Sequence, residues 1–224
     1  NKMEKFLITG ERSLSGEITA SGSKNAALPL LFLSLMADDK CELRRVPALT
    51  DIQIALQLLE VFGVSNKAKS TSSFYLDPSN IHFDVAPYEL VSKMRASILI
   101  LGPLLTRLGH ASVPLPGGCA IGARPIDQHL KGLVAMGANI NLENGVIHAR
   151  AKRLEGVFFN FEMVTVTGTT NLMMAAVLAK GMTVLTNISL EPEVIFLSNL
   201  LNKMGAKIKI IPNERKMKIV GVNS

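Results

Sequence analysis

The sequence predicts an α/β domain of three repeated units, with its helices inside and its sheets outside. Three observations carry this prediction. A helix end closing on glycine recurs as Leu58-Leu59-Glu60-Val61-Phe62-Gly63, Leu133-Val134-Ala135-Met136-Gly137 and Leu200-Leu201-Asn202-Lys203-Met204-Gly205, with the glycines about 74 and about 68 residues apart. Ahead of each lies a small or polar start to a long apolar stretch, at Ser23-Lys24-Asn25-Ala26, Lys93-Met94-Arg95-Ala96 and Gly168-Thr169-Thr170-Asn171. Short β-branched runs fall between and after these stretches and read as strands, so each unit is roughly βαβαββ.

The elements follow in order. Residues 1–22 alternate, with Phe6, Ile8, Leu14 and Ile18 apolar, and predict a hairpin for which the repeats supply no partner. Ala26 to Met36 is nearly all apolar, which predicts a helix buried on most sides. Ile52, Leu56, Leu59, Val61 and Phe62 mark a one-faced helix, capped by Asp51 and ended by Gly63. Cys41–Val46, Ala111–Leu115 and Thr183–Ile188 read as strands between the two helices of each unit, and Ala206–Ile210 alternates as a half-exposed strand after the second helix. The units then span about 23–90, 91–155 and 156–222, within one domain over 23–222.

Composition narrows the function. Of the 224 residues 48% are hydrophobic and 19% charged, so the chain can bury enough apolar surface to fold. Aromatic residues are 5% with no Trp, against a stacking platform for single-stranded nucleic acid, while a net charge of +6 points to anionic ligands. Two distant cysteines, Cys41 and Cys119, suit a reducing compartment and a cytoplasmic protein. The N-terminal stretch has no apolar signal core. The most apolar run, Ala26 to Ala37, falls short of the roughly 20 residues of a spanning helix, so no membrane span is expected. With no dinucleotide fingerprint, P-loop, metal-ligand cluster or serine triad, neither a cofactor nor a metal is expected.

The segment from Pro116 through Gly117-Gly118-Cys119-Ala120-Ile121-Gly122-Ala123-Arg124-Pro125 to Ile126-Asp127-Gln128-His129 is the most informative for chemistry. A thiol among small residues on a loop is accessible, and a cation beside it favours the thiolate, so Cys119 suits a general acid or a nucleophile; a Gly-rich turn with an incidental cysteine fits equally well. Arg124 before Pro125, with Asp127 at the start of the next helix, presents a guanidinium, helix N–H groups and a carboxylate to an anion such as a diphosphate. A capping aspartate paired with a surface arginine is the plainer alternative. Lys24-Asn25 and Lys93-Met94-Arg95 open the inner helices of the first two units, where cations are locally unfavourable and ask for a reason. Thr165-Val166-Thr167-Gly168 is the hydroxyl-rich counterpart in the third unit. His82, His110 and His148 read as structural or solvated, while His129 sits on the helix of the candidate site; Glu191-Pro192-Glu193 reads as a helix cap.

Together, Ser21-Gly22-Ser23-Lys24-Asn25-Ala26-Ala27-Leu28-Pro29, Met94-Arg95-Ala96-Ser97, the Cys119 loop through Arg124-Pro125 and Glu191-Pro192-Glu193 resemble the UDP-N-acetylglucosamine 1-carboxyvinyltransferase (enolpyruvyl transferase) family of peptidoglycan synthesis, from Met3 to about Val222. The resemblance implies an inside-out α/β barrel of two three-repeat domains that close over phosphoenolpyruvate and UDP-N-acetylglucosamine. It assigns phosphoenolpyruvate to Lys24 and Asn25, with Arg95 and Arg124 adding charge across the cleft. The nucleotide falls to Arg124, Pro125, Ile126, Asp127 and Gln128 and to Val164, Thr165, Val166 and Thr167. Cys119 becomes the proton donor to the methylene carbon, able to form an adduct with phosphoenolpyruvate and to be alkylated by fosfomycin. Val164 stands where some members carry Lys, and Phe196 where an Asp often stands.

The resemblance further implies that the chain stops near the interdomain hinge, that residues 1–22 belong to the other domain, and that the chain by itself shows no turnover. A shikimate 3-phosphate enolpyruvyl transferase is one alternative, opposed by the thiol loop. A non-catalytic, basic nucleic-acid-binding domain is the other.

Overall fold

The computed structural model describes residues 5–11, 13–116 and 126–223. Three sheets surround a helical centre. The first unit contributes α1 (Lys24–Leu33), β1 (Cys41–Leu43), α2 (Thr50–Val61), β2 (Ser65–Ser70) and β3 (Ser73–Asp77). In the second, a short α3 (Tyr88–Val91) and a 3-10 stretch (Arg95–Ile100) lead into α4 (Leu101–Leu108), followed by β4 (His110–Pro114), α5 (Asp127–Ala135), β5 (Asn139–Glu143) and β6 (Val146–Arg150). The third runs β7 (Phe158–Asn160), α6 (Val166–Val177), β8 (Met182–Thr186), α7 (Pro192–Lys203), β9 (Lys207–Ile211) and β10 (Lys216–Val220).

The predicted repetition is present in the sheet topology. Each sheet places the last strand of its unit between the other two, in the orders β1-β3-β2, β4-β6-β5 and β8-β10-β9, all antiparallel. The third unit adds β7 parallel to β8, and the second reduces that strand to a single parallel bridge from Val85 to Ser112. The three outer helices also end alike. Gly63, Gly137 and Gly205 take φ of 82°, 93° and 105°, and the next residue donates its N–H five residues back, Val64 to Leu59, Ala138 to Leu133 and Ala206 to Leu201. Only a left-handed residue allows this closure, which is why glycine recurs there.

Helices inside and sheets outside follow from side-chain pattern. Gly168 to Val177 are buried without a break in α6, and α1 buries Ala27, Leu28, Leu31, Phe32 and Leu33. The β10 strand turns Met217 and Ile219 inward and Lys218 outward. The 3-10 stretch packs against both α1 and α6, so inner elements of all three units are in contact.

Three expectations differ from the structure. The hairpin expected over 1–22 has no strand among the described residues 5–11 and 13–22. Phe6, Leu7, Ile8, Leu14 and Ile18 are at least 86% exposed, as expected of a two-stranded ribbon with no sheet to cover it. Asp51 does not cap α2: Leu49 holds that position without a side-chain bond, and the Asp51 carboxylate is taken by Lys24 instead. Glu191 sits at the start of α7 but makes no capping bond, the terminus being set by Pro192.

Candidate functional site

Two segments, from the second and third units, meet at the α5 start. Ile126 precedes it, with its carbonyl accepting from the His129 N–H at 3.0 Å. Gln128 is buried and clamps the backbone ahead of α6: its Nε2 donates to the Met163 carbonyl at 3.1 Å, and its Oε1 accepts from the Met163 N–H at 3.3 Å. Lys131 adds a second tie, with Nζ 2.7 Å from Glu162 and 3.4 Å from Asp127. Val164 is exposed beside this clamp. Thr165 caps α6 by accepting from the Gly168 N–H at 3.1 Å, followed by half-buried Val166 and Thr167 in the first turn. The two stretches predicted to share a nucleotide, 126–128 and 164–167, are therefore neighbours.

Beneath them lies a buried polar network. His129 Nε2 is 3.2 Å from Thr167 Oγ1, and His129 Nδ1 is 3.1 Å from Asn171 Nδ2. Asn171 Nδ2 also donates to the Ile98 carbonyl at 3.2 Å, and its Oδ1 accepts from the Gly102 N–H at 2.9 Å. Burial first, and then the Arg95 guanidinium, push the imidazole down to about 4, against a smaller opposing pull from Asp127. Arg95, which opens the 3-10 stretch, is thus electrostatically coupled to the site.

Asp127 keeps one oxygen ready. Oδ2 faces Lys131, whereas Oδ1 is buried and has no hydrogen-bond partner among the described residues. A buried carboxylate oxygen left so is costly unless a donor arrives, so this atom suits a ligand N–H or O–H.

Lys24 and Asn25 open α1 behind the Ser23 cap, and both are exposed. Lys24 Nζ lies 2.8 Å from Asp51, and the two side chains are 44% and 31% exposed. A pair this wet is worth about 0–1 kcal/mol, so an incoming phosphate can displace Asp51. Pro29, inside α1, supplies no N–H to the Asn25 carbonyl one turn back.

Cys119, Arg124 and Pro125 lie outside the described residues. Cys41, the first residue of β1, is a free, half-buried thiol, and burial raises its pKa. Two hollows lie away from the α5 and α6 starts. One, of about 890 Å³, is a polar groove on the outer face of the second sheet around Phe83, His110 and Arg150. The other, of about 310 Å³, lies between the far ends of α1 and α6. Among the described residues no helix is long and apolar enough to cross a membrane.

Sequence reasoning missed Asn171 and underrated His129. An amide heading the apolar run Leu172-Met173-Met174 demands buried partners, and that demand was the available signal.

The EPSP synthase (3-phosphoshikimate 1-carboxyvinyltransferase) family matches residues 8–224. A UDP-N-acetylglucosamine 1-carboxyvinyltransferase of Idiomarina loihiensis is 50% identical over 222 residues, which cover 99% of this chain and 53% of that protein. The chain therefore spans about half the length of this curated relative. Among solved structures, the enolpyruvyl transferase NikO of Streptomyces tendae superposes with a TM-score of 0.79 at 19% identity, over 93% of this chain and 49% of that one. An EPSP synthase of Acinetobacter baumannii gives 0.74 at 18% identity, over 92% and 47%. At such identities these two likenesses speak for the fold.

Proposed function

The chain belongs to the EPSP synthase family of carboxyvinyl transferases, and from that premise we propose that it forms the nucleotide-sugar half of an enzyme moving enolpyruvate from phosphoenolpyruvate to the 3-hydroxyl of UDP-N-acetylglucosamine. The observation that carries the choice of acceptor is the 50% identity, over nearly the whole chain, to a relative named for that substrate. The convergence of 126–128 with 164–167, and an Asp127 Oδ1 that has no partner among the described residues, agree with it.

In this reading Asp127 accepts from a ligand N–H, and the α6 start with Thr165 and Thr167 faces the diphosphate. Gln128, assigned above to the nucleotide, acts by clamping Met163 rather than by contact. Lys24 exchanges Asp51 for the phosphate of phosphoenolpyruvate beside Asn25, with Arg95 and Arg124 adding positive charge. The sugar 3-hydroxyl gives its proton to a base in the part of the relatives that this chain does not match, and its oxygen bonds to the central carbon of phosphoenolpyruvate as Cys119 protonates the methylene carbon. Loss of a proton from the resulting methyl group then restores the double bond as the carbon–oxygen bond to phosphate breaks. A general acid supplies about 10²- to 10⁴-fold, and the larger share comes from lysine and arginines in a cleft closed to water. The remaining phosphoenolpyruvate contacts belong to the part of the relatives that this chain does not match. Substrates of this kind place the protein in the cytoplasm, in peptidoglycan synthesis.

Calorimetric titration with UDP-N-acetylglucosamine and with shikimate 3-phosphate separates the acceptors. Binding of the first, weakened in Asp127→Ala, supports the reading. Binding of shikimate 3-phosphate in its place overturns it.

A further inference from the structure

The polarity of the buried network is fixed from its far end. The Gly102 backbone N–H can only donate, so the Asn171 atom facing it at 2.9 Å is the carbonyl oxygen. The Ile98 carbonyl can only accept, so the other end of the amide is the NH₂ group, and its second proton points at His129 Nδ1 at 3.1 Å. A protonated Nδ1 would set N–H against N–H. Nδ1 is therefore bare, the ring proton sits on Nε2, and Nε2–H donates to Thr167 Oγ1 at 3.2 Å.

Thr167 then differs from its neighbours. The Thr169 and Thr170 hydroxyls donate one turn back, to the Thr165 carbonyl at 2.7 Å and the Val166 carbonyl at 2.9 Å. The carbonyl one turn behind Thr167 is that of Met163, which accepts from Gln128 and receives no hydrogen bond from the Thr167 hydroxyl. Among the described residues the Thr167 hydroxyl proton has no acceptor, although the residue is only half-buried.

We propose that His129 is a positioning residue: held by Asn171 as the neutral Nε2–H tautomer, it occupies a lone pair of Thr167 Oγ1 and turns the hydroxyl proton outward, as a donor to an acceptor oxygen of the nucleotide sugar. The ligand part rests on the nucleotide-sugar reading above; the tautomer does not. Arg95 and Asp127 are the charged groups that act on the ring, and Arg95 opposes a second proton there.

The test has two arms on the 224-residue chain. The first reads the ¹⁵N shifts of His129 without ligand. A bare Nδ1 and a protonated Nε2 that do not titrate between about pH 5.5 and 8, where a free imidazole does, support the relay. A protonated Nδ1 or an imidazolium overturns it. The second arm titrates UDP-N-acetylglucosamine. Thr167→Val loses about 10- to 100-fold in affinity and Thr167→Ser stays close to the parent if the hydroxyl donates to charged oxygen; unchanged affinity in Thr167→Val overturns the outward donor. Asn171→Asp replaces the NH₂ group by an acceptor, which moves the ring proton to Nδ1 and draws the Thr167 hydroxyl inward. Adding Thr167→Val to it then costs nothing further, and an additive loss counts against the relay. Should the parent chain show the expected tautomer and no affinity for UDP-N-acetylglucosamine, the substrate reading fails while the relay stands.

Discussion

Gln128 and Met163 are joined by two hydrogen bonds, one from the side-chain amide to the carbonyl and one from the N–H to the amide oxygen. A buried side chain thus fixes the backbone of another unit and holds the loop before α6 against α5.

Gln128→Leu removes both bonds and leaves the Met163 backbone groups partly uncovered. It should destabilise the chain by about 1–3 kcal/mol in urea unfolding, and weaken UDP-N-acetylglucosamine binding by releasing the Met163 backbone. Unchanged binding at reduced stability would separate the clamp from the site.

His129 predicts a pH dependence. Its folded pKa of about 4 lies below the unfolded value near 6.5, so the native state binds fewer protons. Its contribution is complete above about pH 6.5 and is lost as pH falls towards 4, about 3 kcal/mol in all. Glu42 and Asp77, each lowered to about 2 by hydrogen bonds from Arg44 and Lys40 respectively, lose theirs only at more acid pH. Stability measured between pH 7 and 4.5 should fall in the parent chain and flatten in His129→Gln, and equal slopes would contradict this.

The Lys24–Asp51 pair predicts competition. Asp51→Asn should change thermal stability little, since both partners are wet, while tightening phosphoenolpyruvate binding by freeing Lys24. Weaker phosphoenolpyruvate binding would mean that Asp51 orients the ammonium rather than competing for it.

Cys41 should resist electrophiles, because burial disfavours its thiolate. Fosfomycin or iodoacetamide should label Cys119 first in the folded chain, and equal labelling read by peptide mass would remove the reactive-loop argument.

The parts of the molecule that were legible in the sequence are those written locally. Gly63, Gly137 and Gly205 announce the repeat because each closes its own helix, and alternation in Lys207-Ile208-Lys209 shows a strand with one wet face. What escaped was settled at a distance. Asp51 has the chemistry of a cap, yet its partner, Lys24, stands 27 residues away. His129 and Asn171 are 42 residues apart, and only packing of α5 on α6 shows that one requires the other. The apolar alternation before Ser23 has the period of strands and no neighbour to pair with, so pattern alone does not make it a hairpin.

The most direct test of the central claim is a backbone amide map of the 224-residue chain titrated with UDP-N-acetylglucosamine. Shifts should concentrate at residues 126–128 and 163–167. Shifts confined to the groove around Phe83, His110 and Arg150, or none at saturating nucleotide sugar, would contradict it.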